Sequence, residues 1–562
     1  MPTTLPEPLE AAGFTPEQKE YLTGLFAGVA ARGQRFSEAV LQPEPTNGDL
    51  TFEERVKLEL HPLDAYAQIV ENAAGNTPPD KEDTFRFKWN GLFYLTPVKD
   101  AFMARLRIPG GVVKTYQLRE LARIAQDLTS GYVQITTRAN FQIRLIKPKD
   151  APEVLQRIQS VGLHTRGAGA DNIRNLTMNP TAGIDPVELI DVQPFVRDLA
   201  QLIINDRAFY NLPRKFNIAY DGGGLIGSVE DTNDIGVKAV KVGDQVLFRI
   251  ALGGATGHKT FARDLGVVVP PAEITRVVAA VVRVFIERGC RTDRKKARLK
   301  HLLDKMSLGD YLAEVEMKLG KELRRMPCDP AQLRWASQEL PHSHVGDFPQ
   351  KQKGLHYVGV ICPVGQITPK QMLRVAELAD GYATGEIRLT VWQNFIIPNV
   401  PHAFVPTIER ALERAGLAVR QSNLASGVIA CTGNSFCKYA QSNTKGHALE
   451  LIKHLEKRLE LDQPVNIHLT GCPNSCAQHY MGDIGCLGTK MHGKDAYHLF
   501  VGGGFGRNQI VGRQIFSGVS ASELPQALEA ILRGYLKHRA GGETFQQFTI
   551  RHDLGSLQEM LA

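Results

Sequence analysis

The strongest constraint on the fold of this chain is an internal repeat. The segment "MARLRIPGGVVKTYQLRELARIAQDLTSGYVQITTRANFQIRLI" aligns without a gap with "YVGVICPVGQITPKQMLRVAELADGYATGEIRLTVWQNFIIPNV", at a constant offset of 254 residues. An unbroken register over about sixty residues is not expected between two unrelated β-α-β stretches. The identities that fix the register include Pro109 with Pro363, Gly111 with Gly365, Gln117 with Gln371, Asn140 with Asn394 and Leu163 with Leu417. The repeat predicts one duplicated fold rather than a string of independent domains.

Each copy is predicted to run strand, turn, helix, strand, helix. The first strand ends at Pro-x-Gly, where proline fixes φ and glycine permits a turn. Apolar residues then recur at helical spacing, and an alternating apolar pattern typical of a strand follows. The residues in these patterns are Leu118, Leu121, Ile124, Val133 and Ile135 in the first copy and Met372, Val375, Leu378, Ile387 and Leu389 in the second. We therefore expect two βαβ half-modules packed about a pseudo-twofold axis.

Each half-module is followed by a longer segment, which gives an α+β chain of five parts. The predicted parts are residues 1–94, an N-terminal helical extension and lead-in; 95–164, the first half-module; 165–345, a larger α/β segment; 346–420, the second half-module; and 421–562, a second larger segment. The polar, proline-containing stretch 339–354 is predicted to join the two halves.

The charge balance and the apolar pattern exclude several classes of protein. The 562 residues carry 66 Lys+Arg and 59 Asp+Glu, a formal net charge of +7. So mild an excess does not indicate a nucleic-acid-binding protein, but it is compatible with a small anionic substrate or an acidic protein partner. The most apolar stretch, 277–286, is interrupted by Arg283 and is shorter than a membrane span. With no signal-peptide pattern, we expect a cytoplasmic chain with reduced thiols.

Four of the eight cysteines form two local pairs. Cys431 and Cys437 lie in "CTGNSFC", and Cys472 and Cys476 lie in "CPNSC". Four thiolates in two pairs suit a tetrahedral metal or an iron–sulfur cluster, and structural zinc prefers tighter C-x2-C spacing. The turns at 433–434 and 473–474 offer backbone N–H groups that could point at cluster sulfides. The pattern favours a 4Fe–4S cluster over zinc. The other cysteines, predicted to be structural, are Cys290, Cys328, Cys362 and Cys486.

Basic residues occur in or beside the predicted strands, among apolar neighbours. An unpaired charge is costly there, so a cofactor or substrate with several negative charges would satisfy them. These residues are Arg105, Arg107, Arg138, Arg144, Arg174, Arg214 and Lys215. A second basic stretch, 290–305, is compatible with an exposed helical face, a docking patch or a surface turned partly toward an anionic cofactor.

Together, the cysteine spacing, the repeat and the basic residues resemble the sirohaem-dependent nitrite and sulfite reductase family. The resemblance extends from "FRFKWNGLF" to "VGGGFG", and its most specific elements are "ACTGNSFCKYA" and "HLTGCPNSCAQHY". It implies two ferredoxin-like half-modules and two larger segments that enclose one sirohaem and one 4Fe–4S cluster. It also implies that Cys431, Cys437, Cys472 and Cys476 hold the cluster and that Cys476 bridges to the sirohaem iron.

The same resemblance assigns roles to residues around the substrate. Arg105, Arg174 and Lys215 match positions that surround the substrate anion. Arg138, Gln142, Arg214 and Asn394 match positions that hold the sirohaem carboxylates or line its cavity. The implied reaction is the six-electron reduction of nitrite to ammonium, in which fixed positive charge would bind the anion and polarise its N–O bonds. Lys215, or water beside it, would relay protons.

Two further features concern the substrate and the electron donor. Sulfite-reducing members carry "RKxK" where this chain has "RKFN", so Asn217 favours the singly charged nitrite. Neither "VGGGFGRNQIVG" nor "YDGGGLIGS" has the spacing of a dinucleotide fingerprint, so electrons are expected from another protein. We predict reduced ferredoxin, or a similar acidic one-electron carrier, docked on a basic patch around Arg294 to Lys300 of a monomeric enzyme.

Three other interpretations remain open. The first is an assimilatory sulfite reductase on the same scaffold. The second is a related sirohaem-type cluster protein of tetrapyrrole biosynthesis that acts as an oxygenase, although such a chain should be shorter and the full repeat argues against it. The third is a non-catalytic zinc or iron–sulfur protein, which a visible spectrum without sirohaem bands would favour.

Overall fold

The computed structural model describes residues 50–561, apart from 95, 96, 99, 130, 328–332, 335–339 and 421. The N-terminal extension is therefore described only from residue 50, and Cys328 lies outside the described residues.

Strands and helices occur along the whole described chain, in runs rather than in strict alternation. The strands are β1 (Leu92–Tyr94), β2 (Phe102–Arg105), β3 (Val112–Lys114), β4 (Val133–Ile135), β5 (Phe141–Ile146), β6 (Thr177–Met178), β7 (Ile218–Asp221), β8 (Ile235–Val242), β9 (Gln245–Leu252), β10 (Arg263–Val269), β11 (Leu333–Arg334), β12 (Gly346–Pro349), β13 (Leu355–Val360), β14 (Gln366–Ile367), β15 (Glu386–Leu389), β16 (Phe395–Pro401), β17 (Val428–Ala430), β18 (Ile467–Thr470), β19 (Ile484–Met491), β20 (Lys494–Val501) and β21 (Arg513–Ser520).

The α-helices are α1 (Phe52–Glu59), α2 (Tyr66–Gly75), α3 (Lys81–Arg86), α4 (Thr115–Leu128), α5 (Ala151–Ser160), α6 (Gln193–Asn205), α7 (Ile274–Arg288), α8 (Leu299–Leu303), α9 (Leu308–Leu319), α10 (Pro369–Tyr382), α11 (Val405–Arg414), α12 (Thr444–Leu455), α13 (Leu524–His538), α14 (Phe545–Arg551) and α15 (Leu554–Leu561). None of these described helices is both long and apolar enough to cross a membrane.

The two half-modules form two equivalent sheets that exchange a strand. Their strand orders are β1-β2-β5-β4-β14 and β12-β13-β16-β15-β3, so β14 of the second half completes the first sheet and β3 of the first half completes the second. Helices α4 and α10 pack against each other, and one apolar core runs through both half-modules. Both helices are 14 residues long, and they begin at Thr115 and Pro369, 254 positions apart. The predicted duplication with a shared core is confirmed.

Two details of the half-modules differ from the prediction. Where one strand was expected after the first helix, the structure has an antiparallel pair, β4–β5 or β15–β16. The connection in the first copy is a tight turn in which the Ala139 N–H donates to the Thr136 carbonyl at 3.1 Å. Because "TTRAN" contains neither glycine nor proline, it lacks the strongest sequence signals for a turn. The stretch 339–354 is more than a join, since it contains β12, the edge strand of the second sheet.

The two larger segments also share one architecture, which the sequence did not reveal. In each, two parallel pairings are followed by two antiparallel pairings, in the orders β6-β7-β8-β9-β10 and β17-β18-β19-β20-β21. Helices α6, α7 and α9 contribute to the core of the first sheet and α12 and α13 to that of the second. The duplication therefore includes all four sheets.

Candidate metal centre and cationic cavity

The four predicted cluster cysteines meet at one end of the second large sheet. Cys431 and Cys437 follow β17, and Cys472 and Cys476 follow β18. These strands are parallel neighbours, with Ala430 opposite Leu469. Because the carboxyl ends of parallel strands lie at the same edge of a sheet, the two loops are brought side by side.

The spacing of these thiols fits a cluster better than a single zinc ion. The pKa of Cys472 is raised to about 11, chiefly by burial and then by the charges of Cys476, Cys431 and Cys437, so the four groups are close enough to interact. A tetrahedral zinc ion with Zn–S bonds of about 2.3 Å would bring the sulfur atoms to about 3.8 Å from one another. In the described part of the chain, one group of three or more metal-ligand atoms lies within 4.8 Å of one another, and it contains none of these cysteines.

Backbone N–H groups of the two turns and of Gly471 point at the cysteine sulfurs; donation to cluster sulfides stays a prediction. The Gly471 N–H donates to Cys431 Sγ at 3.1 Å, and the Gly433 N–H also lowers the pKa of this thiol, which burial raises overall. The Asn474 N–H does the same for Cys472. Gly433 has φ +74, and a Cβ there would lie 2.9 Å from the Thr444 nitrogen, so this turn requires glycine. Such donors stabilise thiolate charge and tune a bound cluster.

Four of the predicted cations come from four different elements and line the space beside Cys476. Arg105 ends β2, Arg138 lies in the β4–β5 turn, and Arg174 and Lys215 precede β6 and β7. All four are half-buried, although protein surrounds them so closely that desolvation is the main influence on each pKa. Side chains that are deep in the protein yet still accessible line an internal cavity.

The electrostatics of these cations connect them to one another and to the cluster loop. Burial lowers the pKa of Arg105 and of Arg138 to about 10, and the Cys476 thiolate opposes this shift in both. The pKa of Lys215 is lowered to about 7, first by burial and then by Arg298, while Cys476 again raises it. Holding several desolvated cations close together is unfavourable, so an anionic ligand bound between them would stabilise the site.

All three remaining predicted cofactor contacts, Gln142, Arg214 and Asn394, have protein partners. The Gln142 side-chain oxygen accepts from Arg144 at 2.6 Å. Asn394 accepts from the Cys362 N–H at 2.9 Å and donates to the Ser426 carbonyl at 3.4 Å, so its amide holds backbone together. Arg214 lies 3.7 Å from the buried carboxylate of Asp171. The roles of Gln142, Arg214 and Asn394 toward a cofactor stay predictions.

Two charged residues near the cavity have roles that sequence reasoning missed. Arg298 is buried and forms a bidentate ion pair with Asp234, with N–O distances of 2.9 Å. Lys445, at the start of α12, is buried beside Cys431 and donates to the Val364 carbonyl. The basic character of 290–305 gave a partial signal for Arg298. No motif identified Lys445.

Arg144 connects two parts of the chain through hydrogen bonds and is not one of the cations that line the cavity. Its guanidinium donates to Gln134 at 2.6 Å and to the Thr432 hydroxyl at 2.8 Å, and thus links the first half-module to the loop that carries Cys431. Of the cysteines predicted to be structural, Cys362 and Cys486 are buried and Cys290 is half-buried.

The stretch predicted to dock the donor, Arg294 to Lys300, is not a continuous basic surface. Arg294 turns inward and pairs with Asp171 at 2.8 Å and with Glu53 at 2.9 Å. Arg298 is buried, and Lys300 pairs with Asp304. Lys295 and Lys296 remain exposed. Carboxylates distant in sequence draw its arginines into the protein, so Lys295 and Lys296 are its exposed cations, and docking on this stretch stays a prediction.

Comparisons with known proteins agree with this geometry. The model of the nitrite and sulphite reductase 4Fe–4S domain matches residues 169–323 and 423–549. The model of the nitrite/sulfite reductase ferredoxin-like half domain matches 96–161 and 348–415. Each therefore occurs twice, as the sheets do.

Relatives match over most of the chain. Ferredoxin–nitrite reductase of Synechococcus elongatus is 35% identical over 508 residues, which cover 87% of this chain and 98% of that protein. The chloroplastic ferredoxin–nitrite reductase of Zea mays is 35% identical, covering 82% and 85%. The solved structure of the Mycobacterium tuberculosis NirA protein superimposes with a TM-score of 0.85 at 28% identity, covering 92% of this chain and 99% of that one. The chain belongs to the nitrite and sulfite reductase family, whose members carry a 4Fe–4S cluster and a sirohaem.

Proposed function

We propose that this chain is an assimilatory nitrite reductase that takes electrons from reduced ferredoxin and forms ammonium. The observation that carries the proposal is the convergence of Arg105, Arg138, Arg174 and Lys215 on the same cavity as Cys476. The relatives named above are ferredoxin–nitrite reductases, which supports nitrite as the substrate and ferredoxin as the donor.

The donor set on the chain fits both cofactors. Cys431, Cys437, Cys472 and Cys476 would hold the cluster, with Cys476 also facing the sirohaem. Arg138, Gln142, Arg214 and Asn394 would bind the sirohaem carboxylates or line its cavity. When bound, the cluster and the sirohaem supply the electron relay and the redox centre at which nitrite is reduced.

The protein side chains supply charge and protons. Arg105 and Arg174 fix positive charge where the anion binds. The Arg105 guanidinium stacks on Phe93 at 4.3 Å, and Arg174 donates to the Ala168 and Ala170 carbonyls at 3.1 and 2.8 Å, so both are held in place. Fixed cations in a dry cavity stabilise negative charge on the nitrite oxygens far more than mobile ones in water. Lys215 Nζ is suited to donate protons to an oxygen that leaves as water, since eight protons accompany the six electrons.

The preference for nitrite over sulfite rests on Asn217. This residue is buried two positions after Lys215; its N–H donates to Asp234 at 2.9 Å, while its side-chain oxygen has no hydrogen-bond partner among the described residues. A lysine here would add a cation that a doubly charged anion uses better than a singly charged one.

We expect kcat/KM for nitrite to exceed that for sulfite with one donor, and Asn217→Lys to move the ratio toward sulfite. A parent enzyme that prefers sulfite would overturn the assignment. A purified protein without sirohaem bands in its visible spectrum, after expression in a sirohaem-competent host, would instead favour the non-catalytic metal protein.

The donor would dock at the mouth of the cluster loop rather than on Arg294 to Lys300. Lys438 and Tyr439 are exposed directly after Cys437. Lys88 lies close enough for the charge of Lys438 to lower its pKa, which is about 8 mainly through burial. An acidic carrier at this surface would approach the cluster closely and neutralise both lysines.

A charge reversal distinguishes the two surfaces. Lys438→Glu should lower kcat/KM with reduced ferredoxin by about tenfold at low salt, and the loss should shrink as salt screens the interaction. The matched control is Lys295→Glu, which reverses an exposed lysine in the other stretch and should change little. Activity with a small artificial reductant should be unaffected in both variants. A larger loss in Lys295→Glu would return the docking site to the stretch 294–300.

The remaining properties that we propose are general ones. The enzyme would act as a cytoplasmic monomer without nucleic-acid or membrane partners. The mild net charge of +7 supports this view, since it lacks the basic excess of a nucleic-acid-binding surface.

A further inference from the structure

Three metal-ligand side chains lie together on the sheet of the second half-module, outside the cationic cavity. Asp347 is on β12, His356 is on β13, and His402 directly follows β16. One ligand atom from each residue lies within 4.8 Å of the others, and this is the one such group in the described part of the chain.

The strand register brings the three residues together. Asp347 is paired with Val358, two positions from His356, so the Asp347 and His356 side chains are diagonal neighbours on one face of the sheet. His356 is in turn paired with Val400, and the His402 N–H donates to the Gly354 carbonyl at 3.0 Å. Backbone hydrogen bonds on three sides therefore fix the spacing of the group. Sites on such strands are more precise than sites on loops.

The contacts within the group fit metal-binding chemistry. His356 Nδ1 lies 2.7 Å from Asp347 Oδ1, and the His356 and His402 ring centroids are 4.5 Å apart. The side chains of His356 and Asp347 are 16% and 28% exposed, which leaves access for an ion. Two imidazoles and a carboxylate are ligands of zinc and similar divalent ions, whereas calcium and magnesium prefer oxygen ligands alone.

A second carboxylate interacts electrostatically with the group. Glu409, on α11, has a pKa raised by burial and then by the negative charges of Asp347 and Glu413, with Arg420 acting in the opposite direction. Arg420 is itself paired with Glu413 at 3.5 Å. Two carboxylates next to two imidazoles form a locally negative site that a divalent cation would stabilise.

We propose that Asp347, His356 and His402 bind one divalent transition-metal ion of the zinc class, with water as a fourth ligand. The ion would connect edge strand β12 to β13 and to the end of β16, and so would stabilise an otherwise open sheet edge. A simple ion pair would need only Asp347 and His356. His402 is the residue that separates the two interpretations.

The test is a zinc titration of the cofactor-loaded enzyme, in which the cluster already occupies the four loop cysteines. Calorimetry should show one equivalent of Zn²⁺ bound to the chelator-treated parent, and added Zn²⁺ should raise its thermal midpoint. His402→Gln, His356→Gln and Asp347→Asn should each weaken binding more than about tenfold and abolish the rise. Nitrite turnover should be unchanged, because none of the three residues belongs to the cationic cavity.

The matched control is His454→Gln. His454 also lies 2.7 Å from a carboxylate, Glu529, but it belongs to no group of three ligands in the described chain. This variant should bind Zn²⁺ like the parent. Parent affinity no greater than that of His402→Gln would overturn the proposal, as would equal losses in His402→Gln and His454→Gln.

Discussion

The two large sheets have the same strand order, but their loops differ in chemistry. In the first, the Asn217 N–H donates to Asp234 at 2.9 Å; in the second, the Asn466 N–H donates to Asp483 at 2.8 Å. Each aspartate precedes the equivalent strand, β8 or β19. The two sheets therefore share this individual hydrogen bond as well as their strand order.

The difference appears at the carboxyl ends of the parallel strands. In the second sheet the Gly471 N–H donates to Cys431 Sγ at 3.1 Å, whereas in the first the Gly222 N–H donates to the Asn179 side-chain oxygen at 3.0 Å. The first copy thus has the amide of Asn179, which closes the loop internally, where the second copy has Cys431, a proposed cluster ligand. Only the second copy of this loop is equipped to hold a cluster.

The two half-modules also differ at equivalent positions, here in the charged residues of the first copy. By the repeat offset, Arg105 and Arg138 of the first copy correspond to Gly359 and Trp392 of the second. Trp392 is buried and stacks on His344, with centroids 5.6 Å apart. Of the two half-modules, the first therefore supplies both cavity arginines, and the second carries no charge at the equivalent positions. The comparison predicts that substitutions at equivalent positions have unequal effects.

The largest effect is expected at Cys476. Cys476→Ser should lose the coupling between the cluster and the sirohaem and lower nitrite turnover more than about hundredfold, since a metal ligand is removed and not merely its support. Visible and electron paramagnetic resonance spectra report the coupling. Cys290→Ser, at a half-buried cysteine outside the loops, is the control and should remain active. Turnover near the parent rate in Cys476→Ser would show that the bridge assignment is mistaken.

The next largest effect, a loss of thermal stability, is expected at Asp234, the aspartate of the first large sheet. Asp234→Asn leaves Arg298 buried without its counter-charge, at a cost of about 3 kcal/mol, although the hydrogen bond from Asn217 can persist. The thermal midpoint should fall clearly. A midpoint equal to that of the parent would indicate that the ion pair contributes little to stability.

A smaller loss is expected at the cavity lysine. Lys215→Met should lower kcat/KM for nitrite about hundredfold, because a fixed cation and a proton donor are both lost while the volume is kept. Steady-state kinetics should show the loss mainly in kcat if proton transfer dominates and in KM if anion binding does. Lys295→Met, at an exposed lysine, should change neither. Unaltered kinetics in Lys215→Met would remove this residue from the site.

Much of this comparison follows from sequence, because its signals are local. The offset of 254 residues placed both half-modules and equivalent helices, and the cysteine spacing predicted the two loops that the structure brings side by side. The second duplication is hidden, since β7 reads "IAYD" and β18 reads "IHLT". The Arg298–Asp234 pair and the inward turn of Arg294 join residues far apart in the chain. Such pairings depend on the fold, so sequence alone did not show that the arginines of the stretch 294–300 turn inward.

The smallest effect concerns Asp483, the counterpart of Asp234, and it should have the opposite sign. Burial raises the pKa of Asp483 to about 7, and the Asn466 N–H offsets this only in part. Because the folded pKa exceeds the unfolded value of about 3.9, ionisation destabilises the folded state progressively as pH rises from about 4 to 7. Asp483→Asn removes this cost and keeps an oxygen acceptor for Asn466.

The thermal midpoint of Asp483→Asn should therefore exceed that of the parent, and the difference should widen between pH 5 and pH 8 by the equivalent of about 2 kcal/mol. Asp462→Asn is the control: Arg539 holds the pKa of that exposed carboxyl below its usual range, so any loss of stability in this variant should stay constant between pH 5 and pH 8. If Asp483→Asn is destabilised to the same extent as Asp234→Asn, both aspartates stabilise the fold through their hydrogen-bond or ion-pair partners. The asymmetry between the two sheets would then be confined to their cysteine and asparagine loops.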